Sequence, residues 1–218
     1  MSTVGRLVPY ITAREGEEPE SHLALRATFD RAGLSALGYW DESREDRDPR
    51  GVLWGRCSQL IGRDGLPSGR PQWGFVHPAR QRETMTHLRC QICVGPTRTP
   101  EGYPFLAPSA GGVPRPGDIL RTWQPPVCLA HLRVAVEQCP HLQKGYITLM
   151  VRSAPLYGVI GTPYQWTARG IKELPGDDTP IPYRASELRW FLASQLVRCL
   201  QDFTVVDLHD LAALDSYA

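Results

Sequence analysis

Lysine is almost missing from this chain. Lys144 and Lys172 are the only two, so nearly all of the positive charge is arginine. A GC-rich coding sequence produces the same excess of Arg, Ala, Gly and Pro, so the arginines alone do not require an anionic partner. Long apolar runs are missing too: none approaches the eighteen or more residues of a membrane span. The N-terminus lacks the basic-then-apolar pattern of a secretory leader, so the expected setting is cytoplasmic, with no membrane partner. Several catalytic signatures are absent. There is no Walker-type Gly-rich loop, no dinucleotide fingerprint after a strand, no Gly-x-Ser-x-Gly elbow and no His-Glu-x-x-His.

What the chain does have is one organised stretch, from Cys90 to His141. It opens with Cys90-Gln-Ile-Cys93 and closes with Pro-Pro-Val-Cys128-Leu-Ala-His131. Two ligand pairs, each with two residues between its members, have the spacing of tetrahedral zinc, so Zn2+ held by Cys90, Cys93, Cys128 and His131 is the expected cofactor. Val94-Gly95-Pro96 redirects the chain after the first pair, as at a zinc knuckle. The run after the second pair has no Gly or Pro through Glu137 and reads as helix, entered from Pro125-Pro126. A knuckle followed by a helix whose first turn carries the second pair is the treble-clef arrangement. If that run is helical, Cys139 lies about 16 Å along the axis from Cys128 and cannot share its metal. His87 and His141 are substitutes only if the run is not helical. A disulfide is the competing reading of the cysteines; close pairs without a secretory leader favour metal.

Four protein ligands would close the zinc, whereas catalytic zinc keeps an open position. HNH nucleases also build on a treble-clef-like frame, with a catalytic histidine between the ligand pairs. Residues 94–127 contain no histidine. Glu101 and Asp118 alone are poor activators of water.

Met85-Thr-His-Leu-Arg-Cys90-Gln-Ile-Cys93, Pro-Pro-Val-Cys128 and Cys139-Pro-His141-Leu together resemble Streptomyces-type actinobacterial proteins with a treble-clef-like zinc module. Gly51-Val-Leu-Trp54, Val76-His-Pro-x-Arg-Gln81 and Gln195-Leu-Val-Arg198 extend the resemblance over most of the chain. Those proteins often have Cys-x-x-Cys where this chain has Cys128-x-x-His131, and both pairs bind zinc. The resemblance implies a zinc site and a bacterial cytoplasmic setting, and no activity.

Net charge is +1, but residues 56–145 hold eleven Arg or Lys against five Asp or Glu, a local excess of +6. Arg80, Arg82, Arg89, Arg121 and Arg133 lie in or beside the zinc stretch and are candidate phosphate contacts, since the planar guanidinium donates two hydrogen bonds to one group. Trp73 and Trp123 could stack on bases. Outside this stretch, Asp41, Asp46 and Asp48 could form a hard-cation site, but arginines interleave with them and a solvated loop with internal ion pairs is the simpler reading. His77 and His87 have no visible carboxylate partner and read as structural.

Gly145–Val151 and Leu156–Tyr164 read as strands of a hairpin turned at Ser153–Pro155. Tyr103–Leu106 and Ile119–Leu120 read as the two strands of the zinc hairpin. Pro78–Arg89 reads as a helix with Pro at its first position. Ser21–Ala32 reads as a short helix. Leu188, Leu192, Leu196, Cys199, Leu200 and Phe203 line one face of an expected long C-terminal helix capped by Ser186. Asp207-Leu-His209-Asp210 reads as a short amphipathic tail.

The expected fold is therefore α+β: a single domain over 1–218, with a short-stranded antiparallel sheet, a long C-terminal helix and a treble-clef zinc module inserted at 79–143. The expected function is a non-catalytic zinc-stabilised binding protein acting on DNA or on a protein partner. The alternative is a metal-dependent hydrolase or nuclease with a site outside the structural zinc, built from His77, His87 and the acidic loop.

Overall fold

A computed structural model describes residues 7–29, 31–115, 117–208 and 211. In chain order the elements are β1 (Thr12–Arg14), β2 (Leu25–Phe29), β3 (Ser35–Tyr39), β4 (Leu53–Trp54), β5 (Pro71–Val76), α1 (Pro78–His87), β6 (Tyr103–Pro108), β7 (Leu120–Thr122), α2 (Leu129–Gln138), β8 (Tyr146–Ser153), β9 (Leu156–Thr167), β10 (Gly170–Glu173), β11 (Ile181–Pro182) and β12 (Phe191–Val206). Strand makes up 40% of the structure against 19% for all helical types. The α+β expectation is thus corrected to a mostly β fold, with two α-helices among the described residues.

The largest correction is at the C-terminus, where the expected long helix is the sixteen-residue strand β12. The stripe Leu188, Leu192, Leu196, Leu200 repeats every four residues. Four steps return to nearly the same helix face, but four is also even, so the same residues share one face of a strand. Strand partners and the β-forming content of Phe191, Val197 and Phe203–Val206 decide the outcome. Ser21–Ala32, also expected to be helical, is a single 3-10 turn followed by β2. His209 and Asp210 lie outside the described residues.

The chain forms two compact units, one from Met1–Thr12, Glu83–Leu156 and Arg198–Ala218, the other from Ala13–Arg82 and Tyr157–Val197. In the first, β8 pairs antiparallel with β6 on one side, from Tyr103↔Val151 to Pro108↔Tyr146. On the other it pairs with the end of β12, from Gln201↔Ser153 to Val206↔Thr148. The expected β8–β9 hairpin does not form, because both strands pair with β12 instead. β8 is buried on both faces. Its odd positions Ile147, Leu149 and Val151 pack with Phe105, Leu200 and Phe203. Met150, on the opposite face, packs with Cys90, Ile92, Leu106, Val127 and Leu132. The second core carries the cysteine stretch. Arg198 is buried and its guanidinium donates to the carbonyls of Met85 (2.8 Å), Thr86 (3.0 Å) and Ala154. It thereby satisfies carbonyls at the end of α1 that have no helical partner.

In the second unit β9 pairs with β10 and, near its start, with β11. The start of β12 pairs parallel with β4. Leu25, Leu37, Tyr39, Leu53 and Tyr164 form the core. Gln81 of α1 inserts against β12 like a strand residue: its Nε2 donates to the Leu196 carbonyl (3.0 Å) and its Oε1 accepts from the Leu196 N–H (2.8 Å). Leu196 is buried and Leu192 half-buried. Leu196→Ala is expected to cost about 2–5 kcal/mol by core truncation, measured by urea unfolding, and Leu192→Ala less. An unchanged midpoint for Leu196→Ala would remove that side chain from the core.

Candidate metal centre

The first ligand pair sits on a tight turn. The Val94 N–H donates to the Cys90 carbonyl (2.9 Å) and the Cys90 N–H to the Gly95 carbonyl (2.9 Å). The Ile92 N–H points at Cys90 Sγ (3.4 Å). Closing the turn puts Val94 at φ 62°, which is unfavourable for a β-branched residue and persists only where the surroundings impose it. Gly95 is small for a reason: a Cβ there would lie 3.2 Å from Cys93 Sγ.

The second pair sits at the start of α2, as the spacing predicts. Pro125-Pro126 keeps the chain extended into Cys128, the N-cap, at φ −68° and ψ 156°. His131 follows in the first turn and its N–H donates to the Cys128 carbonyl (2.9 Å). Two hydrogen bonds from Gln91 join the two pairs. The Gln91 N–H donates to the Pro126 carbonyl (3.0 Å), and Gln91 Nε2 donates to the Pro125 carbonyl (3.0 Å). On its other side the knuckle accepts from Tyr10 N–H and Ile11 N–H.

This scaffold brings one donor atom from each of Cys90, Cys93, Cys128 and His131 within 4.8 Å of all the others, an arrangement that could hold a metal ion. Cys93 Sγ and Cys128 Sγ are 3.8 Å apart. Zinc–sulfur bonds of about 2.3 Å at a tetrahedral angle imply an S–S edge of about 3.8 Å. His131 Nδ1 is 3.1 Å from Cys128 Sγ. That is shorter than the corresponding edge of about 3.5 Å, so the ring must move slightly outward to share a metal. Cys90 is fully buried, Cys128 and His131 are half-buried and Cys93 is exposed. The hydrogen bond with Cys128 pulls the Cys90 thiol down to about 5 against the opposing effect of burial. The same bond and burial push the Cys128 thiol up, as does the charge of the neighbouring sulfurs. Crowded thiolates repel one another, and a divalent cation at their centre removes that penalty and deprotonates coordinating thiols.

The rest of the expected zinc module differs. β6 pairs with β8 and β7 with β12, so the hairpin expected between the ligand pairs is not formed by these two strands. Cys139 caps the far end of α2, half-buried, and neither it nor His87 or His141 joins the cluster.

The five arginines have different environments. Arg80 is 1% exposed, and its Nη1 and Nη2 donate to Glu17 Oε1 (2.6 Å) and Oε2 (2.7 Å). It is a buried structural ion pair and leaves the candidate basic face. Arg82 is half-buried with its guanidinium over the Trp54 ring, 4.7 Å from the centroid. Arg89, Arg121 and Arg133 are exposed in the unit that carries the cluster. Arg133 also reaches Glu137 one turn on (2.9 Å). Trp73 is exposed and Trp123 half-buried.

The acidic loop is consumed internally. Arg56 forks onto Asp46 (2.7 and 2.8 Å) and also reaches Asp41 (2.8 Å), which holds the Asp46 carboxyl down to about 2. Asp48 accepts from the N–H groups of Arg50 and Val52 and from the Tyr183 hydroxyl. His77 is fully buried, its Nε2 bonded to the Ser58 carbonyl (3.1 Å), and burial lowers its pKa. Among the described residues, Cys90, Cys93, Cys128 and His131 are the one group of metal-ligating side chains brought together. The buried Glu17–Arg80 pair has no signature in the sequence, because its partners are 63 residues apart.

These features define a β-rich chain with a Cys3His centre built from a knuckle and a helix N-terminus. No protein-family model, curated protein or solved structure matches it. No helix of the described residues is long and apolar enough to cross a membrane.

Proposed function

We propose that this chain is a non-catalytic binding protein whose Cys3His centre holds one structural zinc. The observation that carries this reading is the convergence of four donor atoms from two sequence-local pairs within 4.8 Å. Thiolate and imidazole donors in this ratio suit zinc, and four of them leave no open coordination position for substrate. The metal's role would be to tie the knuckle at 90–93 to the N-terminus of α2. The hydrolase alternative has little support. His77 is buried without a carboxylate bonded to it, and Arg56 already neutralises Asp41 and Asp46. The sequence resemblance favours a bacterial cytoplasmic setting for this role.

The partner is DNA or another protein. Arg89, Arg121 and Arg133 are the exposed cations from the candidate set that accompany the cluster, and the loss of Arg80 to Glu17 weakens the DNA reading. Elemental analysis should give one zinc per chain; a chain purified under chelator-free conditions with none would refute the centre. Binding to random duplex and single-stranded DNA, titrated at two salt concentrations, then separates the partners. Phosphate contacts from three arginines predict a log–log salt slope of about 2–3, lowered by about one unit in Arg121→Ala. No binding at low salt removes DNA and leaves the protein partner.

A further inference from the structure

In the unit formed by Ala13–Arg82 and Tyr157–Val197, a groove of about 890 Å3 runs beside β9, away from any residue discussed above as a ligand. Four aromatic side chains line it, one of them the buried Phe191. Tyr164 is buried at its base and Trp190 is half-buried. Trp166 stands 50% exposed, yet its ring is held edge-on by Phe29, with centroids 5.2 Å apart at 77°. Pro163 and Pro175 add two more rigid faces. The loop carrying Pro175 is anchored by the Leu174 N–H, which donates to the Pro163 carbonyl (2.9 Å). A Cβ at Gly176 would press within 3.0 Å of the Pro163 ring, so the two walls meet there at glycine contact.

The charge of the groove is one-sided. Asp177 and Glu187 line it, both exposed, and none of the described lining residues is Arg, Lys or His. Hydrogen bonds from the Thr179 side chain and from the Thr179 N–H (3.0 Å to Oδ1) lower the Asp177 carboxyl, which like any aspartate is ionised at neutral pH.

We propose that this groove binds a proline-rich, arginine-bearing segment of a protein partner in the polyproline II conformation. Prolines in that helix present flat apolar faces at little ordering cost to the segment, and they dock between aromatic rings. The edge-on contact of Trp166 with Phe29 lowers the ordering cost on the receptor side. Asp177 and Glu187 would set orientation by pairing with the segment's arginine. A buried small molecule would need convergent polar groups in the groove floor, whereas the charged groups here are exposed carboxylates. The inference builds on the protein-partner arm of the proposed function but does not use the zinc.

The test uses the full chain and a labelled ten-residue peptide carrying two Pro-x-x-Pro repeats and a terminal arginine, with a glutamate-ended peptide as control. Saturable binding should quench tryptophan fluorescence, with the arginine peptide preferred. Trp166→Ala should weaken binding by about thirtyfold, the loss expected of an aromatic anchor. Glu187→Arg should weaken the arginine peptide by about fivefold and reverse the preference, more so at low salt. Wild-type zinc content in both variants shows that any loss is confined to the groove. No saturable binding, or binding that ignores Trp166, overturns the proposal. So does equal affinity for the two peptides. The chain also carries Val113-Pro114-Arg115-Pro116, which has the proposed chemistry. Concentration-dependent dimerisation abolished by Trp166→Ala would make a second copy the occupant and overturn the assignment to another protein.

Discussion

Cys93→Ser is expected to lose the metal and to open the segment around the two ligand pairs to protease. Apparent binding free energies of structural zinc in small modules run to about 10–16 kcal/mol, and binding is coupled to folding. Three features make that coupling strong here. Cys90 and Cys128 both pack in the core that holds Ile92, Val127, Leu132 and Met150. The turn that carries the first two ligands holds Val94, just after Cys93, in a left-handed conformation that favours glycine. The connection between the pairs is otherwise two hydrogen bonds from Gln91, one from its backbone N–H and one from its side-chain amide. Elemental analysis and limited proteolysis followed by mass mapping provide the measurement, with cleavage expected between residues 89 and 130. Cys139→Ser is the control and should keep one zinc, since Cys139 sits at the opposite end of α2. Full zinc retention by Cys93→Ser would exclude that thiol as a ligand.

Glu17→Gln is expected to cost about 3–5 kcal/mol at neutral pH, the usual penalty for leaving one member of a buried ion pair uncompensated. Neither side chain is more than 1% exposed, and Glu17 also accepts from the N–H groups of Arg14 (2.7 Å) and Leu60 (3.1 Å). Burial alone would raise the Glu17 carboxyl. Arg80 and the two backbone donors outweigh it and hold the group at about 2, against an ordinary value of 4.5. The folded state thus binds the proton less readily than the unfolded chain. The stabilisation is present above pH 4.5 and is lost as pH falls from 4.5 through about 2, a change of about 3 kcal/mol. Urea unfolding of wild type and Glu17→Gln from pH 7 to pH 2.5 should show the two curves converging in acid. Part of the acid sensitivity should survive in the mutant, because Asp46 is also held at about 2 by Arg56. Parallel curves across the range would mean that Glu17 does not carry the pH dependence.

The sequence by itself determined what depends on near neighbours. Cys-x-x-Cys before a redirecting Val-Gly-Pro, and Cys-x-x-His after two prolines, are local patterns. Their turn and helix place each pair's donors together whatever the rest of the chain does. The same holds for α1, which starts at Pro78, and for β8, whose β-branched and aromatic residues suit a strand buried on both faces. Tertiary structure decided whatever depends on distant partners. Leu192, Leu196 and Leu200 obey helix and strand periods alike, so only pairing with β4, β7, β8 and β9 makes their segment a strand. Arg80 looks like any other arginine of the basic middle until Glu17 comes to meet it, and desolvation together with two short hydrogen bonds then turns a candidate phosphate contact into a core ion pair. Bringing the two ligand pairs to one point, across 35 residues from Cys93 to Cys128, also belongs to the tertiary structure, because it rests on the Gln91 contacts with Pro125 and Pro126 and on the core beneath Cys90.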